Sequence, residues 1–165
     1  MVNKVIFFFL VCLVSFLLFV SKEETNSNVV IEEEKSNPLV EKLLETAYSY
    51  EKTPYKFGGT TFAGMDCSGL VYASYKKLNI TLARSSKNMF FEGKEVALGK
   101  VKQGDLLFFD IDKFEGKVNH VGMVTSIDEG IIYFIHSTTE KGVIITSIEE
   151  SYWQKAFVGA KRILI

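Results

Sequence analysis

The chain has 165 residues, a formal net charge of −1 and a hydrophobic fraction of 47%. This length gives one domain of ordinary size with a packed core. The lysines and arginines are scattered and form no basic field, so the composition excludes nucleic acid as a partner.

An apolar run at the N-terminus determines the expected cellular location. Residues 5–20 contain no charged side chain and follow Lys4. This run of 16 residues is longer than the apolar region of most signal peptides and somewhat short for a membrane span, and no small-x-small cleavage site follows it. We predict that residues 1–21 are a signal peptide or an N-terminal membrane anchor. The protein is then exported, to the periplasm or the cell surface.

A polar and mostly acidic stretch, residues 22–37, separates this run from the rest of the chain. It has too few apolar side chains for a core, which predicts a flexible linker. The predicted folded domain covers residues 38–165. Asn37 as an N-cap and Pro38 at the first helical position start a helix whose apolar residues recur at helical spacing as far as Tyr50.

Further helices and then strands follow along the domain. A glycine-rich loop leads into a helix that begins at or beside Cys67 and ends near Leu78, and a shorter helix is expected from Ser85 to Phe91. After Gly104 the pattern changes to short apolar strands at 105–110, 119–127, 131–136, 143–147 and 156–164. Helices followed by meandering strands predict an α+β fold, with N-terminal helices packed on a central antiparallel sheet of about five strands.

Cys67 is the candidate nucleophile, because the only other cysteine, Cys12, lies in the apolar N-terminal run. A helix N-terminus carries partial positive charge, which favours a thiolate, so we expect a lowered pKa for Cys67. The same unpaired N–H groups can bind the oxyanion that forms when a carbonyl is attacked. The alternative is a small buried core cysteine, but the polar neighbours Asp66 and Ser68 argue against a fully apolar environment.

The only two histidines of the chain, His120 and His136, complete the candidate site. A hairpin that turns at residues 128–130 places residue 120 beside about residues 136–138, so that the two histidines lie at the same end of adjacent strands. We predict His120 as the base and His136 as the residue that orients it. A zinc site is the alternative, but the intervals of 53 and 16 residues between these side chains do not resemble metal-ligand spacing, and we expect no metal.

Six sequence blocks resemble the NlpC/P60 family of cell-wall peptidases. In chain order they are Tyr55-Lys56-Phe57-Gly58-Gly59, Asp66-Cys67-Ser68-Gly69-Leu70-Val71, Arg84-Ser85-Ser86, Gly104-Asp105-Leu106-Leu107-Phe108-Phe109, His120-Val121-Gly122-Met123-Val124 and Phe134-Ile135-His136. The resemblance covers residues 38–164 and implies a papain-like α+β fold and cleavage of peptide bonds in the stem peptides or cross-links of peptidoglycan. It implies Cys67 as nucleophile, His120 as base and His136 as the third polar residue, without a cofactor.

The resemblance also assigns residues to substrate binding. Tyr55 would line the site near the oxyanion, and Asp66 and Ser68 would hold the stem peptide. Arg84 and Asp105 are expected to be structural ion-pair or turn residues. We expect a monomer whose partner is the peptidoglycan stem peptide, bound as substrate.

Two alternatives differ in class from a peptidase. An acyltransferase or amidase of a related papain-like group is one, but the permuted acyltransferases place the histidine before the cysteine in sequence, and the order here is the reverse. The other is a non-catalytic peptidoglycan-binding module, which is expected to have lost one of the three polar residues, whereas all three are present. Which peptide bond is cleaved stays open.

Overall fold

A computed structural model describes residues 37–111 and 117–165 of the chain. The predicted signal peptide or anchor (1–21) and the predicted linker up to residue 36 lie outside the described residues. Within the described ranges, no helix has the length and apolar character needed to cross a membrane. Export and anchoring therefore stay predictions.

Four α-helices and eight strands make up the described part of the chain. The helices are α1 (Pro38–Ser49), α2 (Cys67–Lys76), α3 (Ser86–Met89) and α4 (Ser151–Ala156). The strands are β1 (Thr60–Thr61), β2 (Gly64–Met65), β3 (Lys94–Val96), β4 (Leu106–Phe109), β5 (His120–Asp128), β6 (Ile131–Thr138), β7 (Gly142–Ser147) and β8 (Phe157–Arg162). Six strands form one antiparallel sheet in the order β3-β8-β4-β5-β6-β7, and β1 pairs with β2 in a separate ribbon.

The predicted α+β fold with a central antiparallel sheet is confirmed, but the sheet has six strands and not about five. The additional strand is β3 at one edge. Lys94 and Glu95 of this strand are exposed, so no alternation of apolar residues predicts it. Two predicted boundaries also shift, because α3 is a single turn and Ala156 ends α4, so that β8 begins at Phe157.

The helix α1 begins where its sequence signals predict. The Asn37 side chain accepts a hydrogen bond from the N–H of Leu39 at 3.0 Å, and Pro38 occupies the first helical position. Leu43 and Ala47 then lie on the buried face, one helical turn apart. The local cap and the apolar spacing agree, which explains why this helix could be predicted from sequence.

The sheet separates two apolar cores. Side chains of α1 and α2 pack in one core, and Trp153 and Ala156 of α4 pack in the other. The strand β4 contributes to both, since Leu106 and Phe108 belong to the first core and Leu107 and Phe109 to the second. A strand that is covered on both faces reads as a continuous apolar run, as this one does.

A tight turn between β5 and β6 sets the register that positions the site. Glu129 and Gly130 both have positive φ angles, 51° and 84°, the combination that two-residue hairpin turns require. A bulge between Val124 and Ser126 shifts the pairing, so that Val124 lies opposite Phe134. The beginning of β5 and the end of β6 are therefore held side by side.

Candidate active site

Cys67 is the first residue of α2, and Asp66 is the N-cap of that helix. Oδ1 of Asp66 accepts a hydrogen bond from the N–H of Gly69 at 2.6 Å, which satisfies one of the free donors at the helix start. Gly69 has to lack a side chain, because a Cβ there would collide with the carbonyl oxygen of Gly59 in the preceding loop. The glycine loop thus packs directly on the first turn that carries the thiol.

Arg84 holds Asp66 and Ser68 in a group that we call the arginine cluster. Its Nη1 and Nη2 lie 2.9 and 3.0 Å from the two carboxylate oxygens of Asp66, and Nη1 lies 2.9 Å from Oγ of Ser68. The N–H of Gly58 donates to Oδ2 of Asp66 at 2.7 Å. Burial opposes the charge on Asp66, but the hydrogen bonds from Arg84, Gly69 and Gly58 outweigh it and lower the pKa of this carboxyl.

The arginine cluster confirms the predicted ion-pair role of Arg84. The second predicted ion-pair residue, Asp105, likewise bonds Arg162 at 2.8 and 2.7 Å. Asp66 and Ser68 are only 8% and 6% exposed, and neither is among the residues that line the cleft at Cys67. Their assignment to substrate binding stays a prediction.

The two histidines are hydrogen-bonded neighbours, as the strand register predicts. Nε2 of His120 lies 2.9 Å from Nδ1 of His136, and Nε2 of His136 lies 2.9 Å from Oγ1 of Thr146. The strands β5, β6 and β7 each contribute one side chain to this buried line, which we call the histidine row. Nδ1 of His120 is the ring nitrogen that His136 does not use.

Aromatic rings enclose the histidine row. The ring of Trp153 lies 5.4 Å from that of His120 and 4.6 Å from that of His136, measured between centroids, and Phe134 lies 4.7 Å from His136. Gly122 leaves the space for this packing, since a Cβ there would lie 2.5 Å from the ring of Phe134. His120 is 4% exposed and His136 is fully buried, so both rings are held in place by their neighbours.

Cys67 and His120 line one cleft of about 540 Å³, and Tyr55 lines it with them. His136 is not among the lining residues. Its two hydrogen-bond partners, His120 and Thr146, both line the cleft. The remaining lining residues are Ile111, Asn119, Ser137, Thr138, Thr139, Glu140, Lys141, Ile144, Thr146, Glu150, Tyr152 and Trp153. The cleft therefore offers the thiol, one imidazole, a phenol and charged side chains of both signs to a polar substrate.

The expected lowering of the thiol pKa is wrong, because burial dominates at Cys67. Desolvation raises the pKa of the thiol and the charge of Asp66 adds to that effect, while backbone N–H groups, including that of Val121, offset it only in part. Burial likewise lowers the pKa of His120 to about 4, and burial together with the charge of His120 lowers the pKa of His136. At neutral pH the site therefore rests as a neutral thiol and neutral imidazoles.

In the described ranges of the chain, no group of three or more His, Cys, Asp or Glu side chains is arranged to hold a metal ion. The hydrogen bonds give a chemical reason at the histidines. Both ring nitrogens of His136 already have partners, one in His120 and one in Thr146. A metal ion at this position would have to displace one of these bonds.

Two residues of the site, Thr146 and Trp153, were not predicted from the sequence. A signal for Thr146 existed, because β6 and β7 pair Phe134 with Thr146, which puts Thr146 diagonally beside His136 on one face of the sheet. A threonine at such a position in an apolar strand indicates a buried hydrogen bond. Trp153 gave no comparable signal, since its contact with both histidines depends on how α4 packs on the sheet.

The sequence and the fold of the chain were compared with those of known proteins. The sequence profile of the NlpC/P60 family matches residues 52–162. The probable endopeptidase NlpC of Escherichia coli (strain K12) is 34% identical over 122 residues, which cover 73% of this chain and 76% of that protein. The murein DD-endopeptidase MepS/murein LD-carboxypeptidase of the same strain is 31% identical over 124 residues, covering 74% of this chain and 62% of that protein.

A solved structure shares the fold. The crystal structure of an NlpC/P60 family protein from Bacillus cereus matches with a TM-score of 0.71 and 32% identity, over 79% of this chain and 42% of that chain. The chain thus spans under two thirds of MepS and under half of the Bacillus cereus protein. Profile, identity and fold agree with one another, and the chain belongs to the NlpC/P60 family.

Proposed function

We propose that the protein is a cysteine endopeptidase that cleaves peptide bonds in the stem peptides or cross-links of peptidoglycan. The observation that carries this proposal is the joint position of Cys67 and His120 in one cleft, with Nε2 of His120 bonded to His136 and Nδ1 left for the thiol. The relatives named as murein endopeptidases supply the substrate class. Export, with or without an N-terminal anchor, would bring the enzyme to this substrate.

The reaction begins with a proton transfer. Nδ1 of His120 takes the thiol proton of Cys67 as sulfur attacks the scissile carbonyl, so that the C–S bond and the imidazolium form together. Since both groups rest neutral, the charge pair exists only during turnover. The imidazolium keeps its Nε2–H on Nδ1 of His136 throughout this step.

The oxyanion of the tetrahedral intermediate needs donors at the start of α2. The backbone N–H of Cys67 belongs to the first turn, where N–H groups have no partner within the helix. Tyr55 lines the cleft beside the thiol, and burial raises the pKa of its phenol, with the charges of Asp66 and Cys67 adding to the effect. Tyr55 therefore keeps its proton at neutral pH and can donate it in a hydrogen bond to the oxyanion.

Collapse of the intermediate completes acylation and leads to hydrolysis. The C–N bond breaks, and the imidazolium of His120 gives its proton to the leaving amine. Water then loses a proton to His120 and attacks the thioester, which releases the new carboxyl group and returns the thiol of Cys67. We assign Asp66 and Ser68 to holding the stem peptide, an assignment that rests on the family resemblance of the block Asp66-Cys67-Ser68-Gly69.

Replacement of the nucleophile tests the proposal. Cys67→Ala removes the only group that can form the thioester, so we expect release of muropeptide fragments from purified sacculi to fall about a thousandfold or more. Mass spectrometry of the products measures this loss of activity and also identifies the bond that the wild-type protein cuts. Thr139→Ala, on the cleft wall but away from the reacting atoms, is the matched control and should keep most of the activity.

Full activity of Cys67→Ala would overturn the mechanism. Sacculus binding by the wild-type chain without any turnover, under reducing conditions that keep the thiol intact, would favour a non-catalytic binding module.

A further inference from the structure

The third member of the histidine row is the hydroxyl group of Thr146. Oγ1 of Thr146 lies 2.9 Å from Nε2 of His136, and Thr146 is 7% exposed. His136 does not itself line the cleft, and its two ring nitrogens are hydrogen-bonded to His120 and Thr146, which both do. The protonation of His136 is therefore set by Thr146 on one side and His120 on the other.

Two arrangements of protons satisfy both hydrogen bonds of the row. In the first, Nε2–H of His120 donates to Nδ1 of His136, and Nε2–H of His136 donates to Oγ1 of Thr146. In the second, every donor is reversed, so that the hydroxyl donates to His136, His136 donates to His120, and the proton of His120 sits on Nδ1. Only the first arrangement leaves Nδ1 of His120 with a lone pair.

Turnover demands the first arrangement. When His120 becomes an imidazolium it carries a proton on Nε2 as well as on Nδ1, and the proton on Nε2 needs an acceptor in Nδ1 of His136. The proton of His136 must then sit on Nε2, where Oγ1 of Thr146 is its acceptor. Without that oxygen a buried N–H would be unpaired, which is costly at a site closed by Trp153 and Phe134.

We propose that Thr146 is a positioning residue that holds the proton of His136 on Nε2 and thereby keeps Nδ1 of His120 free for the thiol proton. This inference rests on the proposed function for its catalytic meaning, while the positions of the protons can be measured without turnover. In this proposal the hydroxyl acts on Nδ1 of His120 through the two imidazole rings.

The experiment is nitrogen-15 NMR of the imidazole rings in full-length protein labelled at histidine. Because the chain has only two histidines, the four ring nitrogens can be assigned without ambiguity. We expect the wild type to carry a proton on Nε2 of both rings. In Thr146→Val the acceptor is lost at constant shape, so the protons should move to Nδ1 of both rings, and kcat should fall about tenfold to a hundredfold.

Two variants complete the design. Thr146→Ser keeps the hydroxyl, so it should keep the wild-type proton positions and most of kcat. Thr125→Val is the matched control, because Thr125 is a buried threonine of the same sheet, 1% exposed, whose hydroxyl donates to the carbonyl of Tyr133 at 3.2 Å. It should lose stability to a similar degree and leave both imidazole rings as they are.

A proton on Nδ1 of His136 in the wild type would overturn the proposal, and so would wild-type proton positions in Thr146→Val. The wild-type measurement decides even if Thr146→Val fails to fold. If the proton positions are as expected but Cys67→Ala keeps full activity, the peptidase mechanism fails and the role of Thr146 in setting the protons of His136 stands.

Discussion

The arginine cluster lies beside Cys67 and the histidine row includes His120, and the two groups differ in charge. In the arginine cluster the carboxylate of Asp66 is ionised and accepts hydrogen bonds from Arg84, Gly58 and Gly69. In the histidine row both rings are neutral, and two hydrogen bonds join the three side chains one after the other. The charged cluster fixes the loop and helix that carry Cys67. The neutral row keeps a proton acceptor available.

The comparison shows why burial has different consequences in the two places. Burial of Asp66 is offset by a guanidinium, so its charge persists and its position is fixed. Among the residues that the structure describes, burial is the one cause that shifts the pKa of His120, and it lowers it, so the ring stays neutral and able to accept a proton. We therefore expect one region to govern stability and the other to govern turnover.

Loss of Arg84 should have the largest effect on stability. Arg84→Met leaves the Asp66 side chain, 11% exposed, without its cation. Because the Arg84 side chain is 37% exposed and solvent screens the pair in part, the free energy of unfolding should fall by about 1 to 2 kcal/mol. Urea unfolding followed by the fluorescence of Trp153, the only tryptophan of the chain, measures this change.

Arg162→Met is the control for Arg84→Met, because it breaks a second pair of an arginine with a buried aspartate, Asp105. Both variants should lose stability, but only Arg84→Met should also raise KM for stem peptides, since Asp66 is then free to move. An unfolding midpoint of Arg84→Met equal to that of the wild type would contradict the prediction.

Replacement of His136 should have a smaller effect, and this effect should be on kcat. His136→Asn retains a carbonyl that can accept the Nε2–H of His120, so part of the orientation survives and kcat should fall about tenfold. KM should stay nearly constant, because His136 does not line the cleft. Steady-state kinetics on a soluble stem peptide separates the two constants, and an increase in KM with unchanged kcat would refute a positioning role.

The smallest expected difference concerns pH, because the arginine cluster and the histidine row should lose their contributions to the free energy of unfolding in different pH ranges. The pKa of His120 is 6.5 in the unfolded chain and about 4 when folded, so below pH 6.5 the unfolded chain binds more protons and the free energy of unfolding falls as the pH drops toward 4. The pKa of Asp66 is lowered from 3.8, so its contribution is present above pH 3.8 and is lost as the pH falls further.

Urea unfolding of three proteins across about pH 7 to pH 3 separates these two ranges. The double variant His120→Gln, His136→Asn should lose the upper transition, and Asp66→Asn should lose the lower one. A wild-type stability that stays constant between pH 6.5 and 4 would show that the histidines are not held neutral by burial.

Much of this architecture could be predicted because local signals and burial agreed. The cap at Asn37, the turn at residues 128–130 and the apolar character of the strands on either side of it predicted one helix and the register that joins the histidines. The edge strand β3 could not be predicted, since Lys94 and Glu95 face solvent and carry no apolar pattern.

The electrostatics of the site depended on information that is not local. The start of α2 predicted a lowered thiol pKa, and that local argument is sound for an exposed cysteine. The packing around Cys67 reverses the direction, because the cost of burying a thiolate exceeds what the nearby N–H groups return. Trp153 was missed for the same reason, as its contact with the histidines arises only when α4 packs on the sheet.

The raised pKa of Cys67 has a consequence for chemical durability. Peroxides, disulfides and alkylating agents react with the thiolate and scarcely with the thiol. A sulfur that loses its proton to His120 only when a carbonyl is being attacked offers little thiolate to these reagents between turnovers. We therefore expect Cys67, which is half-buried in the cleft, to be oxidised more slowly than an exposed cysteine with a lowered pKa.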